Sequence, residues 1–141
     1  MAEPLELDCD DFDAVGILTD AIVSLRAHVL INETDGSATV SAPDGWHRLV
    51  INAKPGGSSV LVVRFNDLSA SRLRNVATAL DSRGWQLDED REGATLRQPP
   101  GTNATDSAFE ILSALGLGGA PTGVRLVEAR DGAGNAIDLR G

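Results

Sequence analysis

The stretch that decides the fold is residues 46–65, Trp46-His47-Arg48-Leu49-Val50-Ile51-Asn52-Ala53-Lys54-Pro55-Gly56-Gly57-Ser58-Ser59-Val60-Leu61-Val62-Val63-Arg64-Phe65. Two runs rich in β-branched residues, Trp46 to Ala53 and Ser59 to Phe65, flank a Pro-Gly-Gly-Ser reversal, which predicts two strands joined as a hairpin. In the second run Leu61, Val63 and Phe65 share one face and Val60, Val62 and Arg64 the other. Apolar residues on both faces suit a central strand, which is better covered than an edge. Working back toward the N-terminus, Pro43-Asp44-Gly45 supplies another turn and Asp35-Gly36 a third. Between them Ala38 to Ala42 is the first strand of a three-strand meander.

Helices bracket this meander. Residues 10–30 read as the first, with Asp10 or Asp11 as N-cap and Asp13 near the positive end of the helix dipole. Val15, Leu18, Ile22, Leu25 and Val29 recur at alternating spacings of three and four and form one stripe. Ala14, Ile17 and Ala21 widen it, while Val23 and Leu30 lie outside it. After the meander, Ser69 is a good N-cap, and Leu68 is placed to staple onto Leu73. Leu73, Val76, Ala77 and Leu80 then form the apolar side of a second helix, which Gly84 stops in the left-handed conformation. Trp85 to Glu89 and Ala94 to Gln98 form a hairpin around Asp90-Arg91-Glu92-Gly93. A third helix runs from about Asn103 to Leu115, capped by Thr102 or Asn103 and halted at Gly116, with Ala108, Ile111, Leu112 and Leu115 buried.

The order is helix, three strands, helix, two strands, helix. Short hairpin links imply an antiparallel sheet of about five strands with the helices on one face, a two-layer α+β sandwich. Residues 1–117 are expected to form this single domain. The last 24 residues, 118–141, hold six of the 15 glycines and form an extension or an added part of the same domain. Within them Val124 to Ala129 reads as an edge strand, and Ile137 and Leu139 either close a final hairpin or hang free.

Composition narrows the function classes. With 141 residues and 42% apolar content the chain is long enough to hold a core without disulfides or metals. Acids number 21 and bases 12, a net charge of −9, which argues against nucleic acid and against an anionic membrane surface as partners. Seven acids, Glu3, Glu6, Asp8, Asp10, Asp11, Asp13 and Asp20, precede the first base, Arg26. That acidic end reads as a solvated tail leading into a helix N-terminus, or as a lean toward a basic partner. The uninterrupted apolar runs are far shorter than the roughly 20 residues that span a bilayer. Cys9 is the only cysteine, so no internal disulfide forms. The acidic N-terminus lacks the basic and apolar segments of a secretory signal, so a cytoplasmic location is expected. Eleven arginines to one lysine, Lys54, suggest a GC-rich bacterial genome.

The search for reactive constellations assigns no catalytic residue, no cofactor-binding residue and no metal ligand. His28, His47 and Cys9 fall on separate elements at no recognised ligand spacing. Asp88-Glu89-Asp90-Arg91-Glu92-Gly93 resembles the start of a calcium loop, but Pro99 stands where the bidentate Glu would be needed. No Gly-x-Ser-x-Gly elbow occurs, and the carboxylates beside Cys9 would blunt its thiolate. Gly56-Gly57 joins two strands and Gly116-Leu117-Gly118-Gly119 follows a helix, so neither opens a phosphate-cradling helix.

Surfaces remain. The stripe Val15, Leu18, Ile22, Leu25 and Val29 matches both a core-facing helix and a two-heptad seam for a partner helix. Trp46 and Trp85 each start a strand, as core lids or as interface anchors. Those seven residues are the candidate partner or dimer surface.

The element order over residues 10–117 resembles that of type III secretion chaperones and the related YbjN-like domains of bacteria. The local residues carrying the resemblance are Trp46-His47-Arg48-Leu49-Val50-Ile51, Leu61-Val62-Val63-Arg64-Phe65, Arg83-Gly84-Trp85 and Ala108-Phe109-Glu110-Ile111-Leu112. The resemblance implies a small acidic homodimer that binds other polypeptides and has no catalytic residues. The glycine-rich C-terminal 24 residues depart from that pattern. The expected function is a non-catalytic, chaperone-like protein-binding module that docks a partner on an apolar helix or sheet face. The alternatives are a domain with a small apolar ligand pocket and an enzyme of uncharacterised type.

Overall fold

A computed structural model describes residues 5–8, 13–41, 47–65, 69–89, 92–117 and 124–139. In chain order the elements are β1 (Leu5–Asp8), α1 (Ala14–Asn32), β2 (Gly36–Ser41), β3 (His47–Ala53), β4 (Ser59–Phe65), α2 (Ala70–Ser82), β5 (Gln86–Leu87), β6 (Gly93–Gln98), α3 (Ala104–Leu117), β7 (Val124–Asp131) and β8 (Ala136–Ile137). The three helices lie against one face of an open antiparallel sheet, so the α+β sandwich stands. Among the described residues the sheet has eight strands rather than about five, in the order β1-β7-β2-β3-β4-β6-β5, with β8 also on β7.

The three added strands come from the two ends of the chain. β1 lies in the stretch expected to be an acidic tail, and it pairs with β7 in the register Leu5↔Val127 and Leu7↔Arg125. Leu7 is fully buried, and that burial offsets the cost of ordering an end segment. β7 is not an edge strand. It is hydrogen-bonded to β2 along Gly36↔Asp131 to Ser41↔Leu126, and its other side carries β1 and β8 end to end. The C-terminal strands are therefore built into the sheet, and β8 closes the final hairpin with Ile137 and Leu139 in the core.

The helices form where periodicity places them, with shifted ends. α1 starts later than expected: its N-cap is Asp13, which makes no side-chain capping bond, while Asp10 and Asp11 lie outside the described residues. It ends at Glu33 in a left-handed conformation, φ 50°. α2 is capped by Ser69 Oγ, which accepts from the Arg72 N–H at 3.3 Å, and Gly84 follows at φ +90°. Leu68, the expected staple, lies outside the described residues, as does the Pro43-Asp44-Gly45 turn. α3 is capped by Asn103 Oδ1, which accepts from the Thr105 N–H at 2.7 Å, and it runs through Gly116 to Leu117.

One continuous core joins the layers. Ala38, Val40, Leu49, Ile51, Leu61, Val63, Phe65, Ala94 and Val127 project from the sheet onto Leu18, Ile22, Leu25, Val29, Val76, Leu80, Ala108, Ile111 and Leu115. By length and composition alone α1 could cross a membrane, a test that the core helix of a globular protein also passes. Here its apolar stripe is spent on this core.

Candidate functional site

The stripe proposed as a partner surface is core instead. Leu18, Ile22, Leu25 and Val29 are each at most 1% exposed, and Val15 is half-buried against the same cluster. The physical reason is the width of the sheet: eight strands present more inner face than five, and the whole arc of α1 is needed to cover it. Trp85 is also buried, 2% exposed, with its Nε1 donating to Glu110 Oε1 at 3.2 Å. It is a core lid held by a carboxylate. Trp46 lies outside the described residues.

Among the described residues, no helix covers the other side of the sheet. Cross-strand registers set its side chains in rows. One row runs Glu6, Leu126, Ser41, Arg48 and Arg64; the next runs Glu128, Thr39, Val50, Val62 and Thr95; a third runs Arg130, Ser37, Asn52, Val60 and Arg97. Val50, Val60, Val62 and Leu126 on this face are half-buried, and all three helices pack on the opposite face. At about 4.8 Å per strand and 3.4 Å per residue, this face measures roughly 29 by 20 Å. A stable protein interface covers about 800 Å² on each partner, so the size is of the right order.

The charges on this face are placed unevenly. Glu6, Asp8 and Glu128 lie on β1 and β7 with one base, Arg130, beside them, while Arg48, Arg64 and Arg97 lie on β3, β4 and β6. Arg48 stands directly opposite Arg64, an unfavourable like-charge pair in a sheet. Arg64 is drawn away by Asp88 at 3.1 Å and Glu92 at 3.5 Å. The sheet edge at β6 is a poorer docking site. β5 covers only Ala94 and Thr95, and beyond that pairing an exposed Arg97 and then Pro99 blunt the edge.

A cavity of about 230 Å³ sits at the end of β2, β3 and β7, lined by Asp35, Ser37, Asn52, Lys54, Asp131 and their neighbours. Its lining mixes these polar side chains with Gly36, Ala53 and Gly132, so it is not the apolar pocket the sequence suggested. Lys54 Nζ bonds Asp35 Oδ2 at 2.8 Å across its rim, an exposed pair of small energetic value. Asp131 Oδ1 accepts the N–H groups of Asn135 and Ala133, both at 2.9 Å, and these bonds hold its carboxyl below the usual range. Its role there is to close the β7–β8 turn.

Three polar constellations escaped the sequence reading. Arg83 grips Glu110 through two bonds of 3.1 and 2.9 Å, and Glu110 in turn holds Trp85. The Arg83 hydrogen bonds push the Glu110 carboxyl down, with Trp85 assisting and burial opposing. Arg26 of α1 donates to Thr102 O at 2.7 Å and to Ser107 Oγ at 3.1 Å, and Ser107 donates to Gln98 Oε1 at 2.7 Å. That chain ties α1, α3 and β6 together, and burial lowers the Arg26 pKa. The third is Arg125, buried on the inner face of β7. It was legible: in Arg125-Leu126-Val127-Glu128-Ala129 the arginine is in phase with Val127 and Ala129. Among the described residues no three His, Cys, Asp or Glu gather as a metal site. The chain matches no protein-family model, and no curated protein or solved structure is similar to it.

Proposed function

We propose that this chain is a non-catalytic, chaperone-like protein-binding module of the bacterial cytoplasm, docking a polypeptide, either another protein or a second copy of itself, on the outer face of its sheet. The observation that carries this reading is the sheet face that no described helix covers, with Val50, Val60 and Val62 on its central strands, Leu126 on β7 and charged residues around them. An apolar centre with a polar rim is the anatomy of protein interfaces. The acidic composition and the element order shared with type III secretion chaperones and YbjN-like domains support the same reading.

The test uses a permanently unfolded, carboxymethylated polypeptide as probe, followed by fluorescence anisotropy, with light scattering over a concentration range for self-association. The wild-type chain binds the probe, forms a dimer, or does both. The double variant Val50→Lys/Val62→Lys does neither while keeping its circular dichroism and Tm. A monomeric wild type that ignores the probe would sink the reading, as would a double variant that behaves like wild type.

A second reading, a domain that binds a small polar ligand, draws on the cavity lined by Asp35, Asn52 and Lys54. A small polar metabolite that raises Tm in wild type but not in Lys54→Ala would favour it, since binding to the folded state alone raises apparent stability.

A further inference from the structure

Charge on the outer sheet face changes sign across the strands. The β1 and β7 side holds Glu6, Asp8 and Glu128 against one base, Arg130. The opposite side holds Arg48, Arg64 and Arg97 on β3, β4 and β6, with Asp88 and Glu92 drawn onto Arg64 at 3.1 and 3.5 Å. Between the two sides β2 presents Ser37, Thr39 and Ser41, and Val50 and Val62 follow in the middle row. The face is therefore acidic on one side, uncharged in the middle and basic on the other.

A surface with opposite charges on its two sides can be complementary to itself. Two identical sheets that meet face to face are related by a two-fold axis lying between them. An axis running across the strands would set the acidic strands of one copy on the acidic strands of the other. An axis running along the strands exchanges the sides and keeps the rows. Placed between β2 and β3, it lays β7 of one copy over β4 of the other, and β1 over β6. Glu6 then lies one strand from Arg64 of the facing copy, and Glu128 lies one row from it. In the middle row Val50 meets Thr39, so uncharged side chains pack at the axis. Sheets stacked in this way sit about 10 Å apart with strands about 30° from parallel, and the long arginine side chains span that gap.

We propose that the occupant of the outer sheet face is a second copy of this chain, packed sheet on sheet about a two-fold axis parallel to the strands. The proposal rests on the docking reading above and names its partner. Opposite charges fix the register of the two sheets and disfavour the other axis.

The test is light scattering of the full chain from micromolar to millimolar concentration, for wild type and two charge-reversed variants. Glu6→Lys/Glu128→Lys makes both sides of the face net basic, and Arg48→Glu/Arg97→Glu makes both sides net acidic. All four positions are exposed, so both variants keep the fold, checked by circular dichroism. The wild-type mass doubles with rising concentration. Each variant alone associates roughly tenfold more weakly or not at all, because like charges now meet. An equimolar mixture of the two variants restores the dimer, since each basic side then meets an acidic one. A variant that dimerises as tightly as wild type, or a mixture no tighter than its components, overturns the proposal; the contact would then lie elsewhere, for example at the exposed Val23, Leu30 and Ile31 of α1. A monomeric wild type that still binds the unfolded polypeptide probe overturns this inference alone, and one that also ignores the probe overturns the docking reading with it.

Discussion

Glu110 shows what one residue decides. Its carboxylate is the shared acceptor of Arg83 and of the buried Trp85 indole, and both bonds favour the charged form. The folded carboxyl is held below its ordinary value of 4.5, so its contribution to stability is complete above that value and is lost as pH falls through the lowered folded one. Glu110→Ala leaves the Trp85 Nε1 buried without an acceptor and is expected to cost about 1–3 kcal/mol. Glu110→Gln keeps an oxygen for Trp85, costs less, and flattens the dependence of stability on pH below 4.5. Urea titrations followed by tryptophan fluorescence between pH 3 and 7 measure both. Little of this was visible beforehand, because Trp85 and Glu110 are 25 residues apart. Arg125 was different: its alternation with Val127 and Ala129 already placed a charge on an inward-facing position.

At the scale of elements, helices α2 and α3 formed where Ser69, Gly84 and Asn103 had marked them, because caps and stops act on backbone groups within one turn. The start of α1 was misplaced, since several acids in a row compete as N-cap and the helix begins after the last of them, Asp13. Two glycines separate the helix itself from its packing. Gly16 is exposed in the first turn of α1 with open space around it, so Gly16→Ala should stabilise the protein by about 0.5–1 kcal/mol. Gly36 lies beneath α1, where an added methyl would meet Val29 and Leu25, so Gly36→Ala should destabilise by about 1–3 kcal/mol. Thermal unfolding of the two variants should move Tm in opposite directions; shifts of the same sign would contradict the packing of α1 over β2.

For the whole molecule, the C-terminal strand is the test. β7 joins β1 to β2 and brings Val127, Ala129 and the β8 hairpin into the core. Truncation after Leu117 should therefore abolish cooperative unfolding, seen as loss of a sigmoidal urea transition by circular dichroism. A truncated chain that still unfolds cooperatively would return residues 118–141 to the status of a dispensable extension. The same topology removed the expected interface: a polar substitution such as Leu25→Asp should unfold the protein, because that side chain is 1% exposed in the core.

The sequence by itself determined the α+β class, the helices, the β3–β4 hairpin, the inward faces of the strands and the acidic surface. These depend on periodicity, capping and turn chemistry, which act between residues close in the chain. Only the tertiary structure decided that the two chain ends meet on β7 and that the sheet is eight strands wide. It also decided that the apolar stripe of α1 is consumed inside and that all three helices pack on one face of the sheet. Strand partnership is settled by registers between residues more than 100 positions apart, such as Leu7 and Arg125. A short run such as Leu5-Glu6-Leu7-Asp8 carries its strand identity only once a partner strand lies beside it.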